Sequence, residues 1–219
     1  MSVPDHVDLP EFTIAVPANW HPLDLDPRTR TDTIAALVKA RIGSGESDVL
    51  RRLRRELTGI LRGCARQAAN RGAIYAALLD QVVAGLAISA SLVVAVGDAP
   101  RDADGRPVLD PDGLGAALAG ERAPGGPGPD GLAADPFETL AGKGVRLRRT
   151  TDSGFANADG ASVVTAESQY FVPVPGTDKA LAMTFSTPNL SVRPALEGLF
   201  DAIARSLDWV WPTDGDPAE

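Results

Sequence analysis

Few residues in this chain have the type and spacing to do chemistry. Asp102, Asp104 and Gly105 in "PRDADGRPVLDP" look like the middle of a calcium loop. Aligned on loop positions 3, 5 and 6, they put Pro100 at position 1 and Pro111 at position 12. Those places need a carboxylate and a bidentate Glu, so the segment reads as a solvated turn. His6 and His21 lie in N-terminal extended or turn segments, and with Cys64 they do not make a metal set. Each histidine reads as a chance surface position, and Cys64, inside a helical pattern, as a small core residue. A Gly-x-Ser-x-Gly elbow is absent. "GSGES" at 43–47 follows a helix and lacks the lysine of a phosphate cradle. Asp80 and Glu167 are carboxylates that no spacing brings together. The sequence therefore predicts no catalytic residue, no cofactor and no metal: a protein that is not an enzyme.

Interaction chemistry is better represented. Arg51, Arg52, Arg54 and Arg55 crowd one helical segment, and Arg146, Arg148 and Arg149 another stretch. Guanidinium groups pair with carboxylates or phosphates in planar, bidentate fashion. The plain alternative is a solvated helix face paired with Glu56 or with the acidic residues between 97 and 142. Trp20 follows a strand end and reads as core, whereas Trp209 and Trp211 close the last expected helix, where one can be exposed at an interface. Arg51, Arg52, Arg55, Arg148 and Trp211 form the candidate interaction surface.

The 219 residues suit one domain, 1–212, carrying a Pro/Gly/Asp-rich insertion at about 97–142 and an acidic tail at 213–219. Such a chain buries roughly 70% of its unfolded surface and needs no disulfide or metal staple. Net charge is −8. That acidity argues against nucleic acid and anionic lipid, which attract basic surplus. The start, "MSVPDHVDLPEF", lacks a basic segment followed by an apolar run, so a secretory signal is not expected. No apolar run reaches the ~20 residues that span a bilayer. A cytoplasmic protein without membrane insertion is expected.

The elements that must position these residues follow from periodicity. Phe12 to Val16 alternates like a strand, and Trp20, Leu23 and Leu25 suggest a second short extended piece. Thr31-Asp32 opens a helix with Ile34, Leu37, Val38 and Ile42 on one face, ended by Gly43-Ser44-Gly45. A second helix over 47–70 carries the stripe Val49, Leu50, Leu53, Leu57, Ile60, Leu61, Cys64 and Ala68. Strands are predicted over 73–80 and 86–96. In the latter, Leu86, Ile88, Leu92 and Val94 share a bulky face, expected to pack on helices. Within 97–142, read as a surface excursion, short helices are predicted near Leu114–Leu118 and Phe137–Leu140. Strands follow over 143–151, 161–174 and 179–186. "QYFVPVPGTDKALAMTFSTPN" reads as a hairpin turning at Pro175-Gly176 and Asp178, with Asn189 or Ser191 capping a last helix over 191–210. Grouped strands mean α+β, a mostly antiparallel sheet packed with helices.

With "FTIAVPANW", "GAIYAALL…LAISASLVVAV" and "MTFSTPN" in this order, the chain resembles the PsbP-like α/β/α sandwich superfamily. That group includes the photosystem extrinsic protein, a Ran-binding transport factor and small bacterial homologues. It also resembles uncharacterised actinobacterial proteins associated with secretion or toxin loci. The resemblance implies a binding or accessory role and offers no shared catalytic residues. The leading expectation is therefore an interaction factor, accessory, chaperone-like or immunity-type, whose partner is another protein. The alternative is a small-molecule-binding module with a pocket between sheet and helices.

Overall fold

The computed structural model describes residues 10–120, 133–156 and 162–211. In chain order the elements are β1 (Glu11–Thr13), β2 (Trp20–Pro22), α1 (Arg30–Ile42), α2 (Asp48–Asn70), β3 (Ala73–Val83), β4 (Leu86–Asp98), α3 (Pro111–Gly120), β5 (Ala133–Thr139), β6 (Gly142–Ala156), β7 (Ser162–Pro173), β8 (Lys179–Thr187), a 3-10 turn (Leu190–Val192), α4 (Arg193–Arg205) and β9 (Asp208–Val210). This is an α+β fold with antiparallel strand pairs. The elements fall into two compact units, one over 18–96 and one over 1–17 with 97–219. His6 and the acidic tail lie outside the described residues.

In the 18–96 unit, local chemistry sets the helix ends. Ser47 caps α2 by accepting the Leu50 N–H. Gly43 ends α1 at φ 83, a conformation that favours glycine. Its first turn opens one residue earlier than expected, and Thr29 at its N-cap makes no side-chain cap bond. The two helices pack on β3 and β4 through a core of Leu23, Ile34, Val38, Ala65 and Ala76, flanked by Leu57, Leu61, Leu78 and Val93. Ala76 pairs with Val93 and Leu78 with Ser91, so α1 and α2 sit on the small-residue face of the β4 strand. Small side chains let a helix approach a strand closely, and the bulky Ile88, Leu92 and Val94 are buried on the opposite face. The β3–β4 turn places both Ala84 (φ 50) and Gly85 (φ 81) in the left-handed region, as a two-residue hairpin requires.

In the other unit, β5 to β8 form a sequential antiparallel meander. The Pro175-Gly176 turn is as predicted, with Gly176 at φ 72 and Thr177 N–H donating to Val174 O. Gly144 exists for close approach: a Cβ there would stand 2.2 Å from the Phe171 carbonyl oxygen.

Three expectations fail here for non-local reasons. Residues 133–139 form strand β5, not a helix, because they pair with β6 along their whole length. The segment after residue 97 is also no mere excursion: Ala99, Leu114 and Phe137 are buried, and Asp110 caps α3 by accepting the Gly113 N–H. The last helix stops at Arg205, and Trp209 pairs with Phe12 in the β1–β9 ribbon. There Ser206 Oγ donates to Ile203 O and accepts the Ala15 N–H, ending the helix. Neither Asn189 nor Val192, at the two N-caps, makes a side-chain cap bond.

Two substitutions test this reading. Ser47→Ala should cost about 1 kcal/mol, read as a lowered urea midpoint. Gly144→Ala should be far worse, with a Tm drop of several degrees or loss of soluble protein, because the backbone of β7 must move.

Candidate functional site

Two charged constellations emerge, one in each unit, and they differ in whether their charges are satisfied. The first lies on the β5–β7 sheet. A single cross-strand row aligns Asp135, Arg146, Tyr170 and Met183 on one face. Opposite them, α4 presents Arg193, Glu197 and Asp201 at four-residue spacing, one helical face. Arg146 donates to both Asp201 oxygens at 2.9 and 2.7 Å and to Asp135 at 3.0 Å. Arg148 donates to the same Asp135 oxygen at 2.8 Å and lies 3.7 Å from Glu197. Arg193 pairs with Glu197 at 2.7 Å and reaches Thr150. The Tyr170 hydroxyl donates to Asp201 at 2.6 Å. Edge-to-face contacts run from Phe137 to Tyr170 to Phe185, which stacks on Phe200.

Electrostatics follow from this packing. Burial, then the bond to Asp201, pushes the Tyr170 phenol well above its ordinary range, so it stays protonated. The hydrogen bond from Arg146 holds the Asp135 carboxyl below its usual value. Three arginines face three carboxylates, so the network is charge-balanced and ties α4 to the sheet. On the other sheet face, Arg149 makes a two-armed pair with buried Glu167, which also accepts from Gln169. Glu167 is thus saturated, and Asp80 stands exposed on β3.

The second constellation is an open cleft of about 450 Å³ between α1 and α2. Ala35, Lys39 and Ser44 line it from α1 and the following loop, and Arg54, Arg55, Thr58, Gly59 and Arg62 from α2. Arg54 donates to the carbonyls of Gly43 (2.6 Å) and Gly45 (2.9 Å), clamping the interhelical loop. Lys39, Arg55 and Arg62 pair with no carboxylate among the described residues. The cleft therefore gathers four cations, two hydroxyls and no acid, a field suited to carboxylate or phosphate oxygens. Its unit carries 11 basic and 7 acidic side chains, net +4, against −12 for the rest of the chain. The whole-chain charge hid this division.

The predicted surface residues separate accordingly. Arg51 and Arg52 pair along α2 with Asp48 and Glu56 and remain exposed. Arg55 enters the cleft. Arg148 is engaged in the balanced network, where a β6 side chain meets β5 and α4. Trp211 is 58% exposed. Sequence reading missed Lys39 and Arg62 as a set with Arg55: the seven-residue spacing of Arg55 and Arg62 on α2 was readable, whereas Lys39 lies on α1. It also missed Asp135, Tyr170 and Asp201, for which the i, i+4 run on α4 was the available signal. Asp102 closes a tight turn by accepting the Asp104 and Arg106 N–H groups, and no metal-ligand cluster exists among the described residues. Cys64 is half-buried, and burial pushes its thiol up, as a packing residue requires. No helix among the described residues is long and apolar enough to cross a membrane.

No family model matches the chain, and no curated protein matches it either. Among solved structures, LpqN of Mycobacterium tuberculosis, described as involved in cell envelope biogenesis, is similar at 13% identity. The match covers 94% of this chain and 88% of that one, with a TM-score of 0.42, too loose to support transfer of function.

The balanced network makes two testable demands. Tyr170→Phe removes a donor from a half-buried carboxylate and should cost about 1–2 kcal/mol in urea unfolding. The Asp135 carboxyl has a folded pKa below its unfolded value of about 3.9, so its stabilisation is complete above that value and is lost as pH falls through the folded one. The stability gap between wild type and Asp135→Asn should therefore be widest above pH 5 and shrink as pH drops toward 3.

Proposed function

We propose that this protein is a non-catalytic interaction factor that binds an acidic partner protein through the α1–α2 cleft. The observation that carries this reading is the cleft itself: Lys39, Arg55 and Arg62 converge there without a carboxylate, beside Arg54. Folding gains nothing from such a cluster, since like charges repel, whereas an incoming acidic segment would neutralise it. The β5–β6 and α4 network supports the same reading by contrast, because Arg146, Arg148 and Arg193 are already matched by acids. An accessory, chaperone-like or immunity-type role fits a module whose chemistry is recognition. A single half-buried cysteine suits a reducing compartment such as the cytoplasm.

The test is charge reversal. Tagged wild type should capture a stoichiometric partner from the native host at low salt and release it as salt rises. Arg55→Glu with Arg62→Glu should lower capture at least tenfold with unchanged Tm. Equal capture by wild type and the double variant would remove the cleft from the function.

A further inference from the structure

Cations crowd the α1–α2 cleft around a gap in side chains. Arg55, Gly59 and Arg62 follow one another on α2 at four- and three-residue spacing, one face of the helix. Arg55 and Arg62 stand about 10 Å apart along the axis, with Gly59 between them. Lys39 lines the cleft from α1, and Thr58 adds a hydroxyl beside Gly59. Arg54 is engaged with the loop carbonyls of Gly43 and Gly45, so three cations remain for a ligand.

An interior glycine weakens a helix. At Gly59 a Cβ would meet nothing within 4 Å, so no neighbour in the fold demands the glycine. Its effect is on the cleft, where it keeps the ground between the two arginines open.

Resting on the reading of an acidic partner, we infer that the group which fills this cleft is a phosphomonoester dianion, borne by that partner on a phosphorylated side chain and seated over Gly59. Charge density selects it. Carboxylates bring one charge each and stand about 5–6 Å apart on a helix face, so cations gathered around one gap would meet them singly. A phosphomonoester concentrates nearly two charges and three acceptor oxygens on one phosphorus. Arg55 and Arg62 close on it from either side along α2 and Lys39 from α1, while Thr58 donates its hydroxyl. Guanidinium forks suit such oxygens. The charged groups that line the cleft are Lys39, Arg54, Arg55 and Arg62, with no histidine or carboxylate among them. The dianion forms with a pKa of about 6, so a change of affinity between pH 5.5 and 7.5 arises from the ligand.

The purified full chain is titrated with phenyl phosphate and with benzoate, followed by nuclear magnetic resonance. Phenyl phosphate should bind at least tenfold more tightly than benzoate at pH 7.5. Its affinity should fall about fourfold at pH 5.5, as the dianion is lost, while that of benzoate holds. Gly59→Leu should fold with a Tm no lower than wild type and lose at least tenfold in phenyl phosphate affinity, as should Arg55→Glu with Arg62→Glu. Equal or absent binding of the two probes overturns the inference, as does a phenyl phosphate affinity that ignores pH or Gly59→Leu. In native-host lysate, phosphatase treatment should lower capture of the partner by the tagged chain at least tenfold. Capture that survives phosphatase but is lost in Arg55→Glu with Arg62→Glu keeps the acidic partner and removes the phosphoryl group. Phenyl phosphate binding with no captured partner leaves a free phosphate ester as the source and overturns the partner's side chain. Capture that ignores both phosphatase and charge reversal removes the cleft itself.

Discussion

Arg146 is the side chain on which the unit of β5 to β8 and α4 depends. A guanidinium held at 17% exposure must find carboxylates or lose the hydration that water would give it. It finds one on α4 and one on β5, and so fixes the helix against the sheet in position and register. Tyr170 and the aromatic run behind it fill the remaining space. The same demand fixes the composition of the interface: three acids match three arginines.

The 18–96 unit obeys a different logic. Its core is a narrow apolar seam, and small residues on β4 let two helices settle on it closely. The seam is narrower than the apolar arc of α2, and the cations between the helices are not matched by acids. Surplus of both kinds, apolar and positive, therefore sits on one helix. In the other unit, the charges of Arg146, Arg148 and Arg193 are matched by acids of the fold itself. Here Lys39, Arg55 and Arg62 have no such acid among the described residues, and the proposed recognition role rests on that contrast.

Much of this was readable from the sequence where the determinants were local. Ser47 and Gly43 mark helix ends by their own chemistry, and Pro175-Gly176 marks its turn. Leu181, Met183 and Phe185 alternate into the core as their spacing says. What could not be read depends on distant partners. Phe137 lies in a strand only because β6 lies beside it, and Trp209 leaves the helix only because Phe12 offers a backbone to pair with. Burial along α2 was hidden for the same reason: periodicity shows an apolar face, but the width of the surface that covers it is set by other elements. The cleft was half visible, since Arg55 stood out, whereas Lys39 joins it only once α1 and α2 lie side by side.

Arg54 has a consequence of its own. Its guanidinium is tied to two loop carbonyls before anything arrives, so one of the four cations of the cleft is already ordered and the loop that shapes the rim is held still. A site built in this way gives up less side-chain and loop freedom on being filled. On the proposed reading, pre-organisation of that sort would let a small basic cleft hold an acidic segment more firmly than its area alone would allow, with the rim set by a residue the fold has already engaged.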